Sequence, residues 1–474
     1  SLNCYYFCIY HLFSIMQYRF FVLVSIFGWF WSACDNTEHN SYDAAAQKKY
    51  AEQYCQEQLR DLAQNDTLLA FVKGKNSERV RQTFQKYYEP TALLWQDAGT
   101  HSALAAIEQY LAVLSKASEH GLVPEHYAYT LLKESYATMY PPNSPEMVDR
   151  LQKMPQFDAQ LTASALLFAN DMWYGKIAPS GHWEMDTRRR NVAGDLQKAI
   201  QSNKIAEFFD SLQPKYPQYA RLKTQLQKPE VRDNATTANL VRLNMDRYRM
   251  MPDMDSLGSR YVWVNIPEFM LQFVESKDTT ASIVVVVGDS KSSTPIVTNR
   301  KMQNVVFSPV WNVPTGIAYE EIEYILRNPA VLIVADVDVF VDGKKVDPRD
   351  VDWNNTARSR IKMRQRPKAT NSMGLVKFPF DNDYGVYLHD TPNKGSFGNR
   401  NRAESHGCVR VGNPLLLSQQ VLKGSNWTSD GMQRAMYSGK QQFASIPRPV
   451  RVNLVYFTAS VDSKGNLVTR RDVY

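Results

Sequence analysis

At Tyr261 the hydrophobic pattern of this 474-residue chain changes period, and that change constrains its fold more than any other feature. Upstream, apolar residues recur at intervals of three and four. Ala103 to Leu114 (ALAAIEQYLAVL) and Phe157 to Met172 (FDAQLTASALLFANDM) therefore read as helices with a buried face. Gly121, Pro124, Pro141-Pro142, Pro179 and Pro214 punctuate such segments where helices stop. Downstream the period is two and β-branched residues take over, in Tyr261–Ile266, Ile283–Val287, Met302–Phe307, Val376–Phe378, Val386–Leu388 and Val450–Tyr456. The expected fold is α+β: an all-α domain over 43–235, then a mostly β domain over 236–474. A segment from Ile317 to Met363 interrupts the strands; in it Tyr319–Arg327 reads as helix and Val331–Val341 alternates like a strand. Trp95, Trp173 and Trp183 are expected as core or interhelical anchors, and His120 and His126 as surface or capping residues.

The first 34 residues are unlike the rest. Met16-Gln-Tyr-Arg19 forms a short positive region, Phe20–Trp31 an apolar run too short to span a membrane, and Ser32-Ala33-Cys34 a set of small residues before a cysteine. This reads as an export signal with Met16 as initiator. Cleavage before a lipidated Cys34, which would anchor the chain to a membrane, and plain cleavage that discards it are both open. Residues 35–42 (DNTEHNSY) read as a linker. Once the signal is gone Cys55 and Cys408 remain, plus Cys34 if lipidated, so export without structural disulfides is expected. The net charge of +7 is spread out, with no focused basic face or motif that would suit nucleic acid.

The chemistry concentrates between Tyr387 and Val411. His389 precedes Cys408 by nineteen residues, and the turn before the thiol reads Ser405-His406-Gly407. A thiol attacks carbonyls as thiolate and needs a base within reach and donors for the oxyanion that develops. Cys408 supplies the thiol and His389 the base. Gly407 lets backbone N–H groups converge where the oxyanion would form.

Those residues, with Val409-Arg410, resemble the signature of the L,D-transpeptidases with a YkuD-type catalytic domain. VWVNIP (262–267), VVVVG (284–288), Thr294-Pro295, WNVP (311–314), Arg364-Gln365, MGLVKF (373–378) and VYLHDTP (386–392) are similar to its large periplasmic subfamily, as is Gly175–Pro179 upstream. The resemblance implies a helical scaffold domain, a catalytic domain and a lid over the cleft at 317–363. A peptidoglycan-binding module, frequent in larger members, has no room within Leu226–Thr237. The implied substrate is a peptidoglycan stem peptide. The donor carbonyl would form a thioester on Cys408, and a diamino acid side chain on a neighbouring stem would be the acceptor amine. Carbapenems would acylate the same thiol. No cofactor and no metal is implied. His389 would act as general base, oriented by a backbone carbonyl near Asp390 or by the Asp390 carboxylate. His406, Ser405 and Gly407 would shape the turn and the oxyanion site, and Tyr387, Arg410 and Asp390 would border or bind substrate. Arg358, Arg360, Lys362, Arg364, Arg366 and Lys368, a run without an acid, read either as a solvated strand edge or as a cationic wall for substrate carboxylates.

Other chemistries compete for these residues. Zinc on His389, His406 and Cys408 lacks a convincing fourth ligand. A papain-like peptidase places its cysteine before its histidine, on a helix. Hydrolysis of the thioester, attachment of a protein to the wall, and a non-catalytic wall-binding lipoprotein stay open beside cross-linking.

Overall fold

The computed structural model describes residues 76–88, 104–140, 147–177, 190–314 and 327–474 without a break, with shorter stretches between 49 and 95 and at 183–184 and 325. The expected export signal, Cys34, the linker 35–42, Pro141-Pro142, Pro179 and most of the Tyr319–Arg327 helix lie outside the described residues.

Among the described residues eight helices of seven residues or more make up most of the N-terminal half: α1 Ser77–Tyr88, α2 Leu104–Ser115, α3 Tyr129–Met139, α4 Met147–Tyr174, α5 Val192–Gln201, α6 Ile205–Ser211, α7 Pro217–Gln227 and α8 Ala235–Met250. The central one is α4, longer than its sequence period suggests. Ala159, Leu161, Ala163, Ala165, Leu166 and Ala169 are buried on all its sides, as in a helix surrounded by others. Its polar residues are satisfied locally. Asp158 accepts the N–H groups of Leu94 and Trp95 at 3.0 and 2.8 Å, and Thr162 accepts the Trp95 indole N–H at 2.9 Å. Trp95 is thus the core anchor expected.

The expected boundary at 235/236 runs through a shared core. Tyr219, Leu222, Met245 and Tyr248 from α7 and α8 pack with Val455, Phe457 and Ala459 from the C-terminal part of the chain. Tyr248 stacks on Phe457 at 4.1 Å. Arg249 is buried there beside Asp246, 3.1 Å away, and donates to the Tyr219 hydroxyl and the His120 carbonyl. His120 is therefore a half-buried member of this joint rather than a surface residue. Burial and the neighbouring Lys223 and Arg249 push its pKa down to about 3. His126 stays exposed beside Lys176. Trp183 pairs in parallel with Ile296 and packs against the core of the β domain, so of the two expected roles it takes the core one, at a short edge strand, rather than an interhelical one.

The β domain is built on one large sheet. Its strands are β1 Arg260–Asn265, β2 Met270–Glu275, β3 Asp278–Gly288, β4 Ile296–Lys301 and β5 Asn304–Phe307. A lid sheet then interrupts with β6 Trp311–Asn312, β7 Val337–Val341, β8 Lys344–Val346 and β9 Ile361–Gln365. The large sheet resumes with β10 Val376–Phe378, β11 Leu388–His389, β12 Ala403–Ser405, β13 Val409–Val411, β14 Gln442–Ser445 and β15 Arg451–Val455, and β16 Ala459–Val461 with β17 Leu467–Thr469 forms a separate hairpin. The main sheet runs β4-β15-β1-β2-β3-β13-β11-β10-β5-β14, with β12 against β3. Alternate residues such as Val262, Val264, Val285 and Val287 enter the core, which is closed by α9 Pro414–Val421 and α10 Ser429–Met436.

The insertion expected as a lid at 317–363 belongs to a four-stranded sheet ordered β6-β9-β7-β8, which reaches from Trp311 to Gln365 and has its own small core of Ile325, Leu332, Val337, Val339 and Met363. Two expectations change here. Val331–Val334 is a helical turn, and only Val337–Val341 is strand. Three of the six cations in the expected wall are paired with carboxylates. Antiparallel pairing of β9 with β7 brings Arg360 to Asp342, Lys368 to Asp336 at 2.7 Å, and Arg366 to Asp336 and Asp338 at 3.6 Å. Arg364 lies over the Phe340 ring at 5.2 Å.

Candidate active site

Three short strands align the site. β10 pairs antiparallel with β11, setting Lys377 opposite His389. β11 pairs in parallel with β13, setting His389 opposite Arg410. Residues opposed across a ladder share a face, and alternate residues of a strand share it too. Lys377, His389 and Arg410 therefore lie on one face, with Tyr387 and Cys408 carried to it by the period of two. Val376, Phe378, Leu388, Val409 and Val411 fill the core on the other.

Cys408 is half-buried and His389 buried. Burial pushes the thiol pKa up, opposed by the backbone N–H and phenol of Tyr387 and by the positive charges of Lys377 and Arg410. Burial pushes the His389 imidazole down to about 3, and Arg410 and Lys377 push the same way. The imidazole is thus neutral at physiological pH. The backbone carbonyls of Asp390 and Met373 face the ring and favour its protonated form, yet Nδ1 has no hydrogen-bond partner among the described residues. Tyr387 meets His389 edge to face at 5.8 Å, and the Lys377 ammonium sits 3.8 Å from the Tyr387 ring centroid.

The turn before the thiol is braced from several sides. Ser405 Oγ donates to the Cys408 carbonyl at 2.5 Å, and the Ser405 carbonyl accepts the Asp289 N–H at 2.9 Å. Gly407 has φ of +101°, a left-handed conformation that other residues adopt only with strain. Its carbonyl accepts the Thr294 hydroxyl at 2.8 Å. Ser405 is accordingly a structural member of the turn. His406 is exposed at this turn. Arg410 is half-buried, with Glu404 acting on it and its charge felt at both Cys408 and His389.

Asp390 departs from the expected role. Its carboxylate is buried away from the shared face, accepts the Leu375 N–H at 2.8 Å and pairs with Lys394. Gly374, at φ of +60°, leaves it room: a Cβ there would stand 2.5 Å from the carboxylate carbon. Adjacent residues on a strand point to opposite faces, so Asp390 cannot join His389 at the cleft. It clamps the start of β10 to the end of β11.

Two members of the site escape a reading of the motif. Lys377 is one; its signal is a lone lysine inside the buried strand Leu375-Val-Lys-Phe378. Trp311 is the other. It belongs to the inserted sheet, opposite Gln365, and its indole acts on the Tyr387 phenol, favouring the deprotonated form against the larger effect of burial. The lid therefore touches the site directly. Among the described residues no three His, Cys, Asp or Glu side chains converge as a metal ligand set.

Comparison with known proteins agrees with this layout. Residues 82–226 match the Scaffold domain, and residues 259–429 match the YkuD family, an L,D-transpeptidase catalytic domain. The chain is 31% identical over 281 residues to a Haemophilus influenzae protein named "Putative L,D-transpeptidase". The match takes in 58% of this chain and 56% of that protein, so the chain spans about half the length of this curated relative. Among solved structures, the Ldtfm-avibactam carbamoyl enzyme aligns at 12% identity and a TM-score of 0.21, covering 42% of this chain and 51% of that one. So low a score carries no argument.

Proposed function

We propose, for a chain that belongs to the L,D-transpeptidase family through its YkuD catalytic domain and carries an N-terminal scaffold domain, that it cross-links peptidoglycan stem peptides through a thioester on Cys408. One observation carries this reading: a thiol and a neutral, buried imidazole share a sheet face with two cations, beside a glycine turn.

His389, neutral at physiological pH, takes the proton of Cys408 as the sulfur attacks the donor carbonyl. The resulting imidazolium is disfavoured by Arg410 and Lys377, so it passes the proton on to the leaving amine as the C–N bond breaks. The N–H groups of Gly407 and Cys408 hold the oxyanion of the tetrahedral intermediate. An acceptor amine then attacks the thioester, His389 takes its proton, and the C–S bond breaks to release thiol and cross-link. Arg410 positions donor carboxylates. The lid, joined to Tyr387 through Trp311, excludes water, which would otherwise hydrolyse the thioester. Carbapenems acylate the same sulfur. The chain works in the exported compartment of a bacterial envelope, with Cys34 as a candidate membrane anchor.

The test is mass spectrometry of peptidoglycan digested after incubation with the chain. Cross-linked dimers are expected with wild type and absent with Cys408→Ser, because a hydroxyl is far less acidic than a thiol. Dimers made by Cys408→Ser at the wild-type rate would sink this reading; tripeptide monomers without dimers would favour the hydrolytic alternative.

A further inference from the structure

The reaction above assigns work to the thiol, the imidazole, Arg410 and two backbone amides, and gives Lys377 no part beyond disfavouring the imidazolium. Its position is unusual for a lysine. It stands in the middle of the large sheet, between β5 and β11, with Val376 and Phe378 in the core on either side. Its ammonium is half-buried above the Tyr387 ring, 3.8 Å from the centroid. Burial drives its pKa down, and the group that acts against this is Cys408, with no carboxylate contributing. A partly desolvated ammonium without an anion is costly, and an aromatic face compensates it only in part. Among the described residues the charge has no carboxylate partner, so it is unbalanced until an anion forms beside it.

We propose that Lys377, seated on Tyr387, is a standing counter-charge of the Cys408 thiolate, so that the nucleophile is balanced by an ammonium before and after the brief imidazolium of His389. The titratable groups facing the sulfur support this assignment. From the β11 side come Tyr387, whose phenol and backbone N–H favour the thiolate, and His389, whose buried ring resists protonation. Arg410 comes from β13, with part of its charge answered by Glu404. Trp311, from the lid, adds a neutral donor to the phenol. Lys377 is the cation in this set whose charge no carboxylate answers. A cation over the ring face also polarises the phenol, which makes its hydroxyl a better donor to sulfur. Lys377 is thus a positioning and charge-balancing residue. The assignment rests on Cys408 being the nucleophile of the proposed function, but its test does not need the transfer reaction.

The test is the rate of Cys408 alkylation by iodoacetamide against pH, with the modified peptide mapped to separate Cys408 from buried Cys55. In that reaction the sulfur loses its proton to buffer, forms a bond to carbon and displaces iodide. Lys377→Met and Lys377→Gln should alkylate about tenfold more slowly at neutral pH than wild type, with the midpoint about one pH unit higher. Lys377→Arg, which keeps the charge and the ring contact, should stay close to wild type. A purely structural role predicts otherwise: neutral variants that remain folded would keep the wild-type midpoint, or the Arg variant would move as far as the neutral ones. Either result overturns the proposal. Cross-linking is measured on the same samples. A wild-type chain with a Lys377-dependent alkylation profile but no cross-linked product would count against the transpeptidase reading and leave this one standing.

Discussion

The Thr294 hydroxyl donates to the Gly407 carbonyl at 2.8 Å and accepts the Gly288 N–H at 2.8 Å, tying the turn before Cys408 to the end of β3. The carbonyl of Gly407 and the N–H of Cys408 belong to one peptide plane and point in opposite directions. Holding the carbonyl therefore aims the amide that would meet an oxyanion. Thr294→Val keeps the shape and removes the hydroxyl. It should cost about 1–2 kcal/mol of stability, since a buried carbonyl and N–H lose their partner. It should also slow thioester formation by tenfold or more while the pH midpoint of Cys408 alkylation stays put. Single-turnover acylation beside an alkylation profile reads both, and an equal loss in both would place the hydroxyl in thiol activation instead.

Acid should destabilise the fold partly through His389. Its folded pKa, about 3, lies below the ordinary value of 6.5, so the unfolded chain binds a proton that the folded chain refuses. The stability contributed by this ring is complete above pH 6.5 and is lost as pH falls from there toward 3. His389→Gln removes the titrating group and should lose less stability than wild type between pH 6.5 and pH 4. Urea midpoints measured across that range make the comparison, and parallel pH dependences would show that burial of the ring is not maintained in solution.

Asp390 should behave as a structural residue. Asp390→Asn keeps the size but weakens the acceptor for the Leu375 N–H and the pairing with Lys394, at a cost of about 1–3 kcal/mol. Gly374→Ala should cost more than about 2 kcal/mol, because it combines a left-handed backbone with a Cβ 2.5 Å from the Asp390 carboxylate carbon. Thermal unfolding of both variants is the measurement. A fully stable Asp390→Asn variant with impaired substrate turnover would return this carboxylate to the cleft.

Loosening the lid should favour water over the acceptor amine. Val339 is fully buried in the small lid core, and Val339→Ala should destabilise that core by about 2 kcal/mol. The main sheet has a separate core, so Cys408 should keep its alkylation rate. The ratio of hydrolysed to cross-linked product is expected to rise. An unchanged ratio in a variant with a demonstrably weakened lid would falsify the gating role. Reversing Arg360, whose charge is already answered by Asp342 at an exposed site, should change little.

The change of period at Tyr261 and the Cys408–His389 motif were legible in the chain because both are local. A period reports which face of an element is buried, and a glycine before a cysteine reports a turn that only glycine enters easily. The sequence by itself thus determined a helical domain, a β domain with an insertion, and the candidate thiol and base. Register and long-range pairing were decided by the tertiary structure. Whether Asp390 faced the cleft depended on the pleat of a two-residue strand. The Arg358–Lys368 run looked unpaired because its carboxylates, Asp336, Asp338 and Asp342, arrive from another strand. Residues 216–226 and 455–461 lie more than two hundred positions apart, yet close one core across the expected domain boundary. Lys377 acquires its meaning only from the strand that sets it opposite His389 and beneath no acid. Local preferences select an element and its buried face, whereas charge balance and desolvation depend on what the folded chain brings alongside.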